Sequence, residues 1–265
     1  MTKLNFSFDK TINAKTNWSA LSISGTALAI ADYAKRFCGL TVVIASSANE
    51  VDAYMSSISF FTLGDDLPIY RLPDWETLPY DIFSPHQDII SERLATLSQL
   101  CSVSHGILVI SVQTMMHRLI PTDFVASRTF LHQVGDICER AKFLSQLEYV
   151  GYQRADTVFN CGEYAARGSI IDVFPMGART PFRIDLVDDE IESLRLFDVD
   201  SQRTIKKIND VSILPAKEFP MDRKSINHFL NRWCVMFPKS LSDTPIYQDI
   251  ANGVAPQGIE YFLKF

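Results

Sequence analysis

The sequence is short of the features that mark most catalytic or cofactor-holding chains. Glycine numbers only 11 in 265 residues, so few positions let the backbone approach a phosphate closely. There is no GxGxxG, no GxSxG and no HExxH, the patterns that seat a dinucleotide, a serine nucleophile or a zinc ion. The five cysteines, Cys38, Cys101, Cys138, Cys161 and Cys234, lie at least 23 positions apart. That spacing excludes a CxxC redox pair and a zinc ribbon, and it argues against a disulfide framework. They read instead as buried small hydrophobes. The five histidines are equally scattered, so no metal and no other cofactor is expected. Long apolar runs are missing as well: nothing approaches the roughly 18 residues of a membrane span, and MTKLNFSFDK has no signal-peptide core. The expectation is a soluble, cytoplasmic chain with no membrane partner. Positive charge is also in deficit, with 25 Lys and Arg against 31 Asp and Glu. A module that binds nucleic acid by neutralising phosphates is normally basic, so tight free-standing DNA binding is disfavoured.

What is present is material for a core: 47% of the residues are hydrophobic and 21% charged. The length suggests roughly two units. Residues 1–128 alternate short apolar runs with helical periodicity. Trp18 to Ile23, Thr41 to Ala45 and Ile107 to Val112 read as strands, nearly continuous in apolar character as buried parallel strands are. Ala27 to Phe37 reads as a helix between the first two. Ser84 and Pro85 read as the cap and first turn of another, with Gln87 as capping-box partner and Ile90, Leu94, Leu97 and Cys101 on one stripe. This alternation predicts an α/β domain with a parallel sheet.

From residue 129 the pattern changes. Ala141 to Val150 reads as one helix. The runs 169–174, 181–187, 191–197 and 211–214 then read as strands joined by connections too short for crossover helices, hence an antiparallel sheet. After Ala216 helical character returns over Ser225 to Cys234. The organisation expected is an α/β domain begun by 1–128, a β-rich α+β insertion over 129–214, and a return segment over 215–265.

Candidate chemistry is sparse. A strand–turn–helix near the N-terminus is where an α/β nucleotide binder places its phosphate loop. Ser22-Ile23-Ser24-Gly25-Thr26-Ala27-Leu28 has one glycine, no lysine, and no hydroxyl where the magnesium ligand belongs. Asp198-Val199-Asp200-Ser201-Gln202 begins like a calcium loop, but Arg203 and Asn209 replace the required glycine and glutamate. Asp188-Asp189-Glu190 reads as a solvated turn. One feature looks purposeful. In Pro181 to Val187, period-two alternation puts Phe182, Ile184 and Leu186 on a core face and Arg183, Asp185 and Val187 on the other. An Arg beside an apolar residue is the composition of protein-contact patches, and Tyr164 and Arg167 lie just upstream. Pattern alone leaves an ordinary solvated sheet face as the competing reading.

Three longer stretches narrow the choice: Leu72 to Asp81 (LPDWETLPYD) with Ser84 to Ser91 (SPHQDIIS); Gly162 to Gly168 (GEYAARG) leading into Ile171 to Pro175 (IDVFP); and Asp188 to Asp198 (DDEIESLRLFD) with Asp200 to Arg203 (DSQR). Together they resemble the N-terminal region of the bacterial transcription-repair coupling factor family (Mfd), itself similar to the first domains of the excision-repair protein UvrB. The resemblance spans nearly the whole chain. It implies a degenerate helicase-like (RecA-type, P-loop NTPase-like) domain interrupted by an insertion that docks the damage-recognition ATPase UvrA. The contact positions it implies are Arg167, Arg183 and Val187, the last often aromatic in relatives. Contacts with RNA polymerase and with DNA would belong to parts of the longer family proteins outside this chain. The aromatic hairpin with which UvrB grips DNA has no counterpart, since Pro79 to Ser84 (PYDIFS) passes straight to a helix. The function expected is a non-catalytic UvrA-recruiting module, with a helicase-like domain retaining residual ATP or DNA binding as the alternative.

Overall fold

The computed structural model describes residue 15 and residues 17–78, 81–238 and 244–262. In chain order the elements are α1 (Ile23–Arg36), β1 (Leu40–Ala45), α2 (Ala48–Phe61), β2 (Ile69–Arg71), α3 (Gln87–Leu100), β3 (Gly106–Ser111), α4 (Val112–Met116) and α5 (Thr122–Ser127). They continue with β4 (Phe130–Gln133), α6 (Arg140–Tyr149), β5 (Gln153–Arg154), β6 (Glu163–Arg167), β7 (Ile170–Val173), β8 (Phe182–Val187), β9 (Glu190–Phe197), β10 (Thr204–Ile208), β11 (Asp210–Ile213), α7 (Arg223–Met236) and α8 (Pro245–Ala251). A 3₁₀ turn, Ile259–Phe262, follows. The fold is mixed α/β, with one parallel and two largely antiparallel sheets. The chain forms two compact units, Met1–Asp74 with Gln99–His117, and Trp75–Ser98 with Arg118–Phe265.

In the first unit, β1, β3 and β2 form a parallel sheet in that order. The central strand, GILVIS, is buried along its whole length, as a strand covered on both faces is. It can start close to its neighbour because Gly106 has φ +141° and a Cβ there would stand 2.8 Å from the Pro68 carbonyl oxygen. The helix α1 buries Ala27, Ala29, Ala31 and Ala34, small side chains that allow tight packing. The start of α2 is closed by Ser47, which accepts from the Glu50 N–H, while Glu50 accepts from the Ser46 N–H at 2.6 Å. One expectation is overturned here. Trp18 to Ser22 forms no strand; Ile23 already belongs to α1, and the Ser22 hydroxyl caps that helix by accepting from the Gly25 N–H at 3.2 Å. The strand–turn–helix required for a phosphate loop is therefore not built among the described residues 17–36. Val112 likewise starts α4 rather than ending β3, with Ser111 as its cap.

The second unit is built on a six-stranded sheet in the order β10-β9-β8-β7-β6-β5, antiparallel except for β5 with β6. Phe182, Ile184 and Leu186 face the core, as alternation predicts, together with Ile171, Val173 and Leu194. Ile90 and Leu94 of α3 and Phe143 and Leu147 of α6 belong to the same buried cluster. The hairpin from β8 to β9 turns on Asp188 and Asp189, both at positive φ (47° and 62°). Two left-handed residues make this a type I′ turn, whose twist matches that of the paired strands. The expected strand at 211–214 exists, but as β11 it pairs with β4 in a separate two-stranded sheet. The polar strand β10 (TIKKI) forms the outer edge, with a bulge between Thr204 and Lys206.

One further difference concerns the segment that leads into α3. Ser84 does not cap α3, which begins at Gln87. Its hydroxyl donates to Glu260 Oε2 at 3.1 Å and accepts from the Gly258 N–H at 3.0 Å. A buried polar cluster ties distant sequence together: Glu218 accepts from Arg93 Nε at 2.6 Å and from Trp75 Nε1 at 3.1 Å. Residues 81–86 lead irregularly into α3, while Pro79, Tyr80 and the aromatic C-terminal end beyond Phe262 lie outside the described residues. Of the cysteines, Cys138 and Cys161 are buried as expected, Cys234 is half-buried, and Cys38 and Cys101 are exposed.

Candidate protein-docking site

The face of the six-stranded sheet opposite Phe182, Ile184 and Leu186 carries all three residues singled out in the sequence. Cross-strand partners in an antiparallel pair share a face. Arg167 of β6 pairs in register with Ile170 of β7, and Ile170 with Asp185 of β8. Arg183 and Val187 flank Asp185 two positions away on either side. The three thus mark out a triangle on one surface, with Arg167 two strands (about 10 Å) from the line joining the others.

Each corner is held differently. Arg183 is gripped by Asp172 of the next strand, Nε at 2.6 Å and Nη2 at 2.8 Å, the fork-to-fork geometry of the strongest ion pairs. Its guanidinium also lies over the Phe197 ring, 4.9 Å from the centroid. The Asp172 carboxylate and, more weakly, that of Asp185 push the Arg183 pKa above its ordinary value against the opposing effect of burial. Arg167 is exposed, and its Nη2 donates to the Asp156 carbonyl and to Thr157 Oγ1, the latter at 2.8 Å. Val187 is 50% exposed beside the Asp188-Asp189 turn. The turn is itself anchored, since the Cys138 N–H donates to the Asp189 carbonyl at 2.6 Å. Burial, with the Asp189 and Asp136 charges, pushes the Cys138 thiol up to about 11.

The arrangement offers fixed cationic donors beside an apolar side chain, which suits recognition of an acidic protein surface. Sequence reading missed Asp172 and Phe197, which set Arg183 in place, and Arg195, which stands opposite it and bonds Asp185. A period-two reading of IIDV and LRLF puts Asp172, Arg195 and Phe197 on the side opposite their core neighbours, but only strand pairing shows which meets which. The other candidates close on themselves. Asp198 accepts from the Ser201 N–H and hydroxyl at 2.9 and 2.6 Å, hydrogen bonds that hold its pKa below the ordinary carboxylate value. Among the described residues no group of three or more His, Cys, Asp or Glu is placed to hold a metal ion. No helix among them is long and apolar enough to cross a membrane.

Residues 131–219 match the UvrB interaction domain family. This segment runs from within β4 through β11 and includes Arg167, Arg183 and Val187. Three relatives extend the comparison. The transcription-repair-coupling factor of Escherichia coli strain K12 is 43% identical over 242 residues, 91% of this chain and 21% of the relative. That of Haemophilus influenzae is 42% identical over 240 residues (89% and 20%), and that of Rickettsia prowazekii 33% over 225 (83% and 20%). The chain is homologous to the UvrB-like N-terminal module of the transcription-repair-coupling factors, and it spans about a fifth of the length of these relatives.

Proposed function

We propose that the outer face of the six-stranded sheet docks UvrA through Arg167, Arg183 and Val187, and that the chain serves as a non-catalytic recruiting module linking stalled transcription to nucleotide excision repair. The observation that carries this reading is the preset Arg183. Its guanidinium is fixed by Asp172 and Phe197 before any partner arrives, so little side-chain entropy remains to be lost on binding. The similarity to a UvrB interaction domain supports UvrA as the partner. In the same reading, the parallel β1-β3-β2 sheet is the remnant of a helicase-like domain that along the sequence runs over 1–128 and resumes at 215–265, with 129–214 inserted, although residues 215–265 lie in one compact unit with the insertion rather than with that sheet. The Ser22-to-Ala27 segment, without a lysine and capped by its own serine, fits a domain that no longer turns over nucleotide. RNA polymerase and DNA are then engaged by other parts of the longer relatives.

The test is a pull-down and calorimetric titration with purified UvrA. Arg167→Glu combined with Arg183→Glu abolishes binding while circular dichroism shows the fold intact. Unchanged affinity in the double variant removes the site assignment.

A further inference from the structure

The register row that carries Arg183 runs Ala165, Asp172, Arg183, Arg195 and Lys207 from β6 to β10. Arg183 and Arg195 therefore stand directly opposite each other, an arrangement that destabilises a sheet unless each charge is answered. Both are answered, but unequally. Asp172, 8% exposed, takes two nitrogens of Arg183. Asp185, which is half-buried, takes only Nη2 of Arg195, at 2.6 Å. The Arg195 Nε is buried and has no hydrogen-bond partner among the described residues. A guanidinium is shaped to use Nε and Nη2 together on one carboxylate, and a buried donor without an acceptor costs free energy. Arg195 is thus half-satisfied, and it stands on the face that carries Arg167, Arg183 and Val187.

We propose that Arg195 is a further contact residue of the docking face, and that its partner group is a carboxylate of the incoming protein that displaces Asp185 and, as the released guanidinium turns outward and uncovers Nε, takes Nε and Nη2 together. The inference rests on the docking proposed above and adds the chemistry of one region of the partner: opposite β9 it is acidic. Asp185 holds Arg195 until docking and competes with the partner for it. Asp172, buried and doubly bonded, stays on Arg183 and positions it. The two carboxylates therefore act on binding in opposite directions.

Titration of UvrA against a small panel of variants tests this. Arg195→Gln weakens binding about tenfold, as loss of a buried charged contact does, and Arg195→Lys, which keeps the charge but not the fork, gives an intermediate loss. Asp185→Asn tightens binding severalfold, and the gain disappears in the Arg195→Gln background. Asp172→Asn weakens binding. Circular dichroism melts confirm that each variant is folded. Unchanged affinity in Arg195→Gln, or an Asp185→Asn gain that persists without Arg195, overturns the inference. The Arg167→Glu, Arg183→Glu double variant separates the two levels. If it binds like the wild type, the docking reading fails and this inference with it. If it loses binding while Arg195→Gln does not, only the role of Arg195 is wrong.

Discussion

Removing the Glu218 carboxylate is predicted to be the most damaging single truncation for the unit that carries the six-stranded sheet. The Glu218 side chain is 2% exposed and accepts from Arg93 Nε at 2.6 Å, Arg93 Nη2 at 3.3 Å and Trp75 Nε1 at 3.1 Å. Arg93 is fully buried, with its guanidinium 5.0 Å from the Trp75 ring centroid. In Glu218→Ala the cation stays in a site closed to water and loses the carboxylate that takes two of its nitrogens, a change that costs about 3–5 kcal/mol. The Trp75 indole N–H loses an acceptor at the same time, adding about 1 kcal/mol. A total of about 4–6 kcal/mol is a large share of a domain's typical stability, and it corresponds to a fall in Tm on the order of 10–20 °C. Replacing both partners, Arg93→Met with Glu218→Leu, removes the buried cation together with its carboxylate and recovers most of the loss. The assay is urea unfolding followed by tryptophan fluorescence and far-ultraviolet circular dichroism on the two singles and the double. A cost below about 1 kcal/mol in Glu218→Ala, or a double variant no better than the single, would refute the assignment of this cluster as a buried, mutually dependent pair.

Two further perturbations report on other parts of the fold. Burial pushes the Glu260 pKa up, reinforced by the nearby Glu218 charge and opposed by the hydrogen bond from Ser84 and by Lys217. A raised folded-state pKa means that the native chain binds this proton more tightly than the unfolded chain. Its stabilising contribution is therefore full below the ordinary glutamate range and is lost as pH rises through the folded-state value. Glu260→Gln should flatten that slope and raise stability at neutral pH, measured by denaturant unfolding between pH 4 and 7.5; a variant less stable than wild type at pH 7 contradicts the sign. In a thiol-labelling experiment read by mass spectrometry, exposed Cys38 and Cys101 should react first. Buried Cys138 and Cys161, whose thiol pKa values are raised by burial, should react only on unfolding. Rapid labelling of Cys138 in the folded chain contradicts its placement.

Strands β8 and β9 were legible because period-two alternation is a local signal. The sequence FRIDLV has only one register that buries Phe182, Ile184 and Leu186, and the two-residue DD turn allows only a tight hairpin to β9. The N-terminal strand was misread on another signal. WSALSI is apolar enough to pass for a buried strand, yet Ser22 offers its hydroxyl to the Gly25 N–H and so starts a helix instead. The polar edge strand β10 escaped notice because TIKKI buries almost nothing, and the capping role read into Ser84 gave way to its long-range bonds with Gly258 and Glu260. What no local pattern carries is the pairing across strands. That Asp172 grips Arg183, and that Arg195 faces it, follows from the register of β7, β8 and β9 together.

The β10 strand gives the sheet its character as a partner. An open strand edge invites any extended chain to add itself by backbone hydrogen bonds, without regard to sequence. Here that edge is bent by a bulge and crowned by Lys206 and Lys207, both of which discourage strand addition. On the docking proposed above, a partner is steered from this edge to the flat of the sheet, where side chains rather than backbone make the contact. Recognition then depends on whether the partner's carboxylates fall where the arginines already point.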